Sequence, residues 1–432
     1  MSNNNQIKMK IYSKIRDLWN KGAFHILIGD FITKFITFFG AIFLVRVLSK
    51  EEYGLLAYIE NLYGYIYMLA GLGMHNSILR FLIISRDNGK QVSYYKYIVK
   101  RTFIINVLLV IFSILIFLFY KHPIEFIGAK YLLLVFMLIL PFQYLYDISL
   151  LTIRAKLQIK KYSFTVIIVS LLIVTSKYLS SLYLGLNGMI IFSIFLYILI
   201  SFVLTRLIRH DFGKESTVVN INKTEKKEIN KYSIQFLLTN SIFALLMLND
   251  IFMMGLFINS PTLIADYKIA FTLPANISLI STSIGIFITP YFVINENNKD
   301  WIKSTYIKLI GILIILSGLI GMVLFIFSSE LLSFIFGSEY ESSSNIMRVL
   351  VISAFINSVF RYTTANILNS LGHVKVSLFA SIIGIVFQVL LNILLIPSYG
   401  PIGTAYTSVA VYSLMSIILV VYFMKIYFVK NR

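Results

Sequence analysis

The stretch YIVKRTFIINVLLVIFSILIFLFY, Tyr97 to Tyr120, carries no charge after Arg101. A helix that crosses a bilayer needs about 20 consecutive, mostly apolar residues, and this run supplies them between a basic end and an aromatic end. The same pattern recurs outward in both directions. Before it come Ala23 to Val47 and Gly54 to Met74; after it come Ala129 to Leu150, Ser163 to Leu184 and Leu186 to Ile208. A second set of six follows at Ile234 to Ile258, Ala265 to Ile294, Ser304 to Phe327, Asn345 to Ser370, Val374 to Ile396 and Pro401 to Phe428. The reading is an all-α polytopic membrane protein of about twelve spans, in two six-helix bundles facing a central cavity.

Composition agrees. With 58% hydrophobic and 13% charged residues in 432, and a mean hydropathy of +0.83, the chain is not a water-soluble globule. Twelve spans take about 240 residues, which leaves no room for a large soluble domain. The absence of Cys removes disulfides, thiolate metal sites and Cys nucleophiles. The net charge of +19 would suggest nucleic acid in a soluble protein; in a membrane chain it orients helices and meets anionic headgroups, so no nucleic-acid partner is expected.

Orientation follows from Lys and Arg, which resist translocation. Most of them fall in the N-terminal tail, in the segments Arg80 to Arg101, Arg154 to Lys161, Arg206 to Lys231 and Lys299 to Lys303, at Lys375 and in the C-terminal tail, against only Arg46, Lys50, Lys121 and Lys130 on the other side. Both termini are therefore expected in the cytoplasm. The first span follows a basic stretch (Lys8, Lys10, Lys14, Arg16, Lys21), but its length and its Asp30 and Lys34 make it a permanent helix rather than a cleaved signal. The expected organisation is a tail 1–22, a six-helix bundle 23–208, a polar linker 209–233, a second bundle 234–428 and a tail 429–432.

The halves repeat. Glu52-Tyr53 opening the second span matches Asp266-Tyr267 in the eighth at an offset of 214 residues, and Gly185-Leu-Asn-Gly188 matches Gly400-Pro-Ile-Gly403 at 215. These glycines join neighbouring spans and read as tight packed turns. Parallel six-helix repeats pass a substrate by rocking one against the other, which favours a transporter. No nucleophile elbow, phosphate loop or ATPase motif is present, and the five His residues (His25, His75, His122, His210, His373) lack ligand spacing. The expectation is no catalysis, no cofactor and no metal.

Charges inside spans need a reason, because each costs about 2.5 to 3.5 kcal/mol on insertion scales. Asp30 and Lys34 lie one turn apart on span one, either as a self-neutralising pair or with Lys34 meeting a substrate pyrophosphate and Asp30 taking up H⁺ or Na⁺. Arg361, in span ten, has no acidic residue within a turn and needs a partner on another helix or an anionic ligand. Lys177 on span five is a third candidate cation, although it sits far enough along to snorkel. Asp250 on span seven would pair with Lys177, with Arg361 or with a coupling cation. Glu60, Asp147, Lys308 and Arg348 lie toward span ends and read as headgroup contacts. Pro274 and Pro290, within span eight, free backbone carbonyls and permit a bend.

Four stretches carry a family resemblance. LVRVLSKEEYGLLAYIENLYGYIYMLAGLGMHNSILRF (Leu44 to Phe81) resembles the N-terminal signature of polysaccharide biosynthesis membrane proteins. LNDIFMMGLFINSPTLIADYKIAFTLPANI (Leu248 to Ile277) resembles their Asp-containing seventh span, FGSEYESSSNIMRVLVISAF (Phe336 to Phe355) the entry to their tenth, and LNILLIPSYGPIGTAYTSVA (Leu391 to Ala410) a Pro-Gly hairpin, with Tyr406 where relatives carry small residues. The resemblance is to Wzx-type O-antigen and polysaccharide flippases of the MATE-like MOP superfamily. It implies export of undecaprenyl-pyrophosphate-linked oligosaccharide, an O-antigen or related lipopolysaccharide or surface-polysaccharide repeat unit, from the inner to the outer leaflet of the bacterial cytoplasmic (inner) membrane. It also implies membrane lipids, H⁺ or Na⁺, and the polymerase and chain-length proteins of the same pathway as partners. A MATE-type cation-coupled drug antiporter is the nearest alternative and would want acidic rather than basic cavity residues; a membrane polymerase would want a larger outer loop.

Overall fold

The computed structural model describes residues 23–85, 87–119, 126–213 and 219–428. The tails 1–22 and 429–432 and residues 214–218 of the linker lie outside the described residues. Everything described is helix or turn, with no strand, as lipid demands: without water, backbone N–H and C=O groups must bond within their own segment.

The helices of the first half are α1 (Ala23–Val47), α2 (Lys50–Leu69), α3 (Met74–Ile84), α4 (Asn88–Phe119), α5 (Ile127–Phe136), α6 (Leu140–Ala155) and α7 (Ile159–Phe212). Those of the second are α8 (Lys223–Phe257), α9 (Pro261–Ala275), α10 (Ser278–Ile294), α11 (Lys299–Ile326), α12 (Ser328–Phe336), α13 (Ser344–Ile356), α14 (Thr363–Ser370), α15 (Val374–Tyr399) and α16 (Pro401–Tyr427). Eleven stretches are long and apolar enough to cross a membrane, and one of them is the 54-residue α7. At 1.5 Å per residue such a helix would be about 81 Å long, against a hydrocarbon core of about 30 Å, so it has to be two crossings. The break is at Gly185, with φ 61° and ψ −158°, backbone angles open essentially only to glycine. Gly400, at φ 60° and ψ −141°, makes nearly the same turn between α15 and α16, which pack along each other. Side-chain space closes at the paired positions too: a Cβ on Gly188 would strike Leu184, and one on Gly403 would strike the Leu395 carbonyl. Tyr406 is 44% exposed and packs edge-on to Tyr399, so it stays out of the hairpin interior.

Corresponding spans are both interrupted, though not at equivalent residues. Span two divides between α2 and α3 at the 3₁₀ turn Ala70–Gly73, where Leu72 (φ 47°) and Gly71 (φ 54°) are left-handed. Span eight divides between α9 and α10 just after Pro274, while α10 continues through Pro290 without a break. Span four carries a 3₁₀ turn at Met137–Ile139, and span ten a π-helical segment at Asn357–Tyr362.

Helix ends extend further than apolarity alone indicates. Span two was expected to close at Met74, yet α3 carries it to Ile84 and places Arg80 on a helix. The polar linker is likewise helical at both margins, to Phe212 and again from Lys223. The second margin is capped: the Asn222 side chain accepts from the Glu225 N–H at 2.8 Å while Glu225 accepts from the Asn222 N–H at 3.1 Å, a reciprocal box that starts a helix in water. Ser49 and Glu52 make the same box at the start of α2. The segment between spans nine and ten is not open loop; α12 and a 3₁₀ turn, Ser338–Ser343, fill it.

Two compact units emerge from the contacts, Met1–Leu48 with Ile66–Lys121 and Lys130–Leu238, and Ser49–Tyr65 with His122–Ala129 and Thr239–Arg432, counting the described residues of each. The cut falls inside α2 and inside α8. In the first unit α1 lies on α7, with Gly29 against Ser163 and Gly40 against Val174; α8 joins through the Ser77–Ser233 hydroxyl pair at 2.6 Å and the Lys90–Glu225 ion pair at 2.7 Å. In the second unit the start of α2 is held by Lys50–Asp266 at 2.7 Å and by Asn61 donating to the Leu248 carbonyl at 2.9 Å. Gly54 lets it cross the backbone of Pro261, the close approach that small residues permit between membrane helices. Gly54→Val should therefore cut the folded, monodisperse yield several-fold in detergent size-exclusion, whereas Gly311→Val, where a Cβ meets nothing within 4 Å, should not. Equal yields would show that this crossing does not depend on Gly54.

Candidate functional site

The second unit gathers the strongest polar constellation around Asp250 of α8. Its Oδ1 accepts from Gln388 Nε2 at 2.8 Å and Asn392 Nδ2 at 3.3 Å, both one turn apart on α15. Its Oδ2 accepts from Tyr267 Oη on α9 at 2.7 Å and from Ser408 Oγ on α16 at 3.1 Å. Four helices thus converge on one carboxylate, and every donor is neutral; no Lys or Arg lies within ion-pair distance among the described residues. The two amides also leave their oxygens, Gln388 Oε1 and Asn392 Oδ1, buried and without a partner among the described residues. A small cavity of about 70 Å³ opens beside Asp250, lined also by Tyr267, Lys268, Phe271 and Tyr412.

Arg361 belongs to the same unit. It lies in the π-helical segment of span ten, 7% exposed, where the extra residue per turn moves side chains off their α-helical register. Its guanidinium donates to Asn357 Oδ1 at 3.0 Å and faces the rings of Tyr412 at 5.6 Å and Phe243 at 5.9 Å. No carboxylate reaches it among the described residues. Tyr412, which faces the guanidinium and also lines the cavity beside Asp250, stands between the two charges. Aromatic faces stabilise a desolvated cation by about 2 kcal/mol each at best, which holds the guanidinium in place and leaves its hydrogen-bonding capacity largely open.

The other candidates lie in the first unit. Asp30 and Lys34 are both exposed on α1 and make no ion pair with each other. Lys177 is half-buried on α7, ahead of the Gly185 break.

Several residues here escaped the sequence reading. Gln388 and Asn392 are amides one turn apart in an apolar span, a legible signal; Asn392 even falls within the Leu391 to Ala410 stretch. Lys268, one residue beyond Asp266-Tyr267, was visible as a charge within span eight. Asp147 was read as a headgroup contact. It is instead paired with the Tyr67 hydroxyl, within a polar group at the Gly71–Gly73 break where the Gly71 N–H donates to Asn106 Oδ1 at 2.6 Å and His75 bonds Tyr144 at 2.8 Å. The break frees backbone groups, and the side chains satisfy them.

The model of the family described as "Polysaccharide biosynthesis protein" matches residues 19–296, and that described as "MatE" matches residues 236–394. The chain belongs to the polysaccharide biosynthesis protein family. Among curated proteins it is similar to the probable low-salt glycan biosynthesis flippase Agl15 of Haloferax volcanii, 25% identical over 160 residues, which are 36% of this chain and 33% of that protein. The match thus spans about a third of the relative's length. Among solved structures it is similar to the lipid II flippase MurJ in an inward closed conformation (16% identity, 93% of this chain and 89% of that one, TM-score 0.73). It is also similar to an inward-facing multidrug resistance MATE transporter of the MOP superfamily (16% identity, 91% and 94%, TM-score 0.71). With eleven stretches among the described residues long and apolar enough to cross a membrane, the chain is a multi-pass membrane protein of that family.

If the four donors hold the carboxylate, Tyr267→Phe removes a hydrogen bond to a charged group, worth about 1.5 to 3 kcal/mol, and Gln388→Leu a similar amount. Thermal unfolding of purified protein in detergent should show a lowered midpoint for each. Asp250→Asn, which removes the charge that demands those donors, should blunt both losses; undiminished losses in that background would refute the cage.

Proposed function

We propose that the protein exports a lipid-linked oligosaccharide bearing a pyrophosphate, of the undecaprenyl class, from the inner to the outer leaflet of the bacterial cytoplasmic membrane, both termini being cytoplasmic. The observation that carries this reading is Arg361: a buried guanidinium, braced by aromatic rings and Asn357, without a carboxylate, in a family of polysaccharide flippases. A planar fork of donors recognises phosphate oxygens in geometry as well as charge. Lys268, on the cavity beside Asp250, adds a second cation of the same unit; Lys34 and Lys177 are the candidate cations of the first unit. In this reading transport is by alternating access, with Gly185, Gly188, Gly400 and Gly403 keeping the hairpins rigid and the break after Pro274 as a hinge. A pyrophosphate with about two negative charges gains about 2.3 kcal/mol per charge per 100 mV on moving outward, so the membrane potential assists export.

Asp250 is the coupling-ion site in this reading. Turning the Gln388 and Asn392 amides over would present two oxygens beside the carboxylate and the Ser408 and Tyr267 hydroxyls, an all-oxygen set of the kind a hard cation takes; protonation of Asp250 would serve H⁺ instead. That cage also favours the second reading, a MATE-type cation-coupled antiporter, because Asp250, Tyr267, Gln388 and Asn392, all but Ser408, lie inside the stretch the MatE model matches. The substrate readings separate on Arg361, which a cationic drug would avoid.

Arg361→Ala should abolish most surface-glycan output per membrane-inserted protein, and Arg361→Lys should be partly defective; an active Arg361→Ala removes the pyrophosphate role. Since Arg361 and Asp250 are not in direct contact, Asp250→Ala should not rescue Arg361→Ala. A rescued double variant would make the pair structural. Raising Na⁺ at constant ionic strength should raise the unfolding midpoint of the wild type and not of Asp250→Asn, or lowering pH should do so if H⁺ is the ion. A midpoint insensitive to both argues against coupling at Asp250. Cysteines introduced at Lys90, Lys160 and Lys226 in this Cys-free chain should resist impermeant thiol reagents in intact cells, and prompt labelling would invert the topology.

A further inference from the structure

A second cavity, remote in sequence from Asp250 and Arg361, lies wholly within the first unit. It is a groove of about 800 Å³ on the α4 face, closed by α6 and by the last turns of α7. Three exposed cations line it: Lys96 and Lys100, one turn apart on α4, and Arg209 on α7. None of the lining residues is acidic, and none of the three cations has a carboxylate within ion-pair distance among the described residues. The nearby acid, Asp211, is already paired with Lys161, and its carbonyl accepts from Lys156 at 3.0 Å. Further along α4 the lining becomes apolar, with Phe103, Ile104 and, from α6, Leu145.

The sequence of α4 sets the depth of this groove. Lys96, Lys100 and Arg101 are the last charges before the uncharged run to Phe119, so the cations stand at headgroup level and the apolar part lies in the hydrocarbon. We propose that the groove is a specific site for one anionic bilayer phospholipid, its phosphate among Lys96, Lys100 and Arg209 and its acyl chain along Phe103, Ile104 and Leu145. Charge complementarity and the polar-to-apolar order select an anionic amphiphile, and the volume falls in the range of pockets that enclose a whole small molecule, about 300 to 1,000 Å³. Basic pockets between membrane helices bind such headgroups. The site stands whichever substrate the protein carries.

The test is native mass spectrometry of the purified full-length protein in detergent supplied with phosphatidylglycerol or phosphatidylcholine of identical acyl chains. The wild type should retain one phosphatidylglycerol with at least tenfold preference. Lys96→Gln/Lys100→Gln/Arg209→Gln should lose that preference, while Lys223→Gln/Lys227→Gln/Lys375→Gln, with the same change in charge, should keep it. Ile104→Trp, which fills the apolar end and leaves every charge, should also reduce retention. Equal losses in the two triple variants would mean diffuse attraction rather than a site, and unaltered retention in Ile104→Trp would move the lipid elsewhere. Displacement of phosphatidylglycerol by an equal amount of farnesyl diphosphate would reassign the cations to a prenyl diphosphate. Any of these three results overturns the proposal.

Discussion

The carboxylate of Asp250 is the constraint around which the second unit is organised. A charge inside hydrocarbon is tolerated only with partners, and here the partners come from α9, α15 and α16 as four neutral donors. Satisfying one carboxylate in this way fixes the rotation of each of those helices about its own axis, since a turn of one residue would withdraw its donor. Gln388 donates at the same time to the Leu246 carbonyl at 3.1 Å, which ties α15 to the α8 backbone. Neutral donors hold the charge without cancelling it.

Arg361 solves the converse problem. A guanidinium set against rings keeps its charge and most of its donors, where an ion pair would have consumed both. The π-helical segment makes this arrangement available by adding a residue to the turn, and Thr363 bonding back to the Ser358 carbonyl at 2.9 Å satisfies part of the backbone so disturbed. Opposite charges thus coexist within one helical unit, separated by the ring of Tyr412, neither neutralising the other.

Helix breaks follow the same logic throughout. At Gly185 and Gly400 glycine alone fits the backbone angles; at Gly71–Gly73 the freed N–H groups of Gly71 and His75 are met by Asn106 Oδ1 and the Tyr144 hydroxyl; after Pro274 the chain closes short turns upon itself, with the Ile277 N–H on the Pro274 carbonyl at 3.0 Å. Breaks are therefore confined to places where side chains or tight turns replace the lost ladder.

Much of this was legible in the amino-acid sequence. Apolar run lengths determine a helical membrane fold because lipid admits few others, and Gly185 and Gly400 mark hairpins because no other residue takes those angles. The unusual character of Asp250 and Arg361 was visible from their position in apolar surroundings. Their partners were not. Gln388, Asn392, Ser408 and Tyr412 are distant in sequence from the charges they meet, and polar residues in a span give no sign of which neighbour they face. The second helical margin of the linker was missed because capping by Asn222 and Glu225, not apolarity, sustains a helix in water. Which groups meet depends on helix rotation and crossing, set by packing among residues far apart in the chain, and only the tertiary structure decides that.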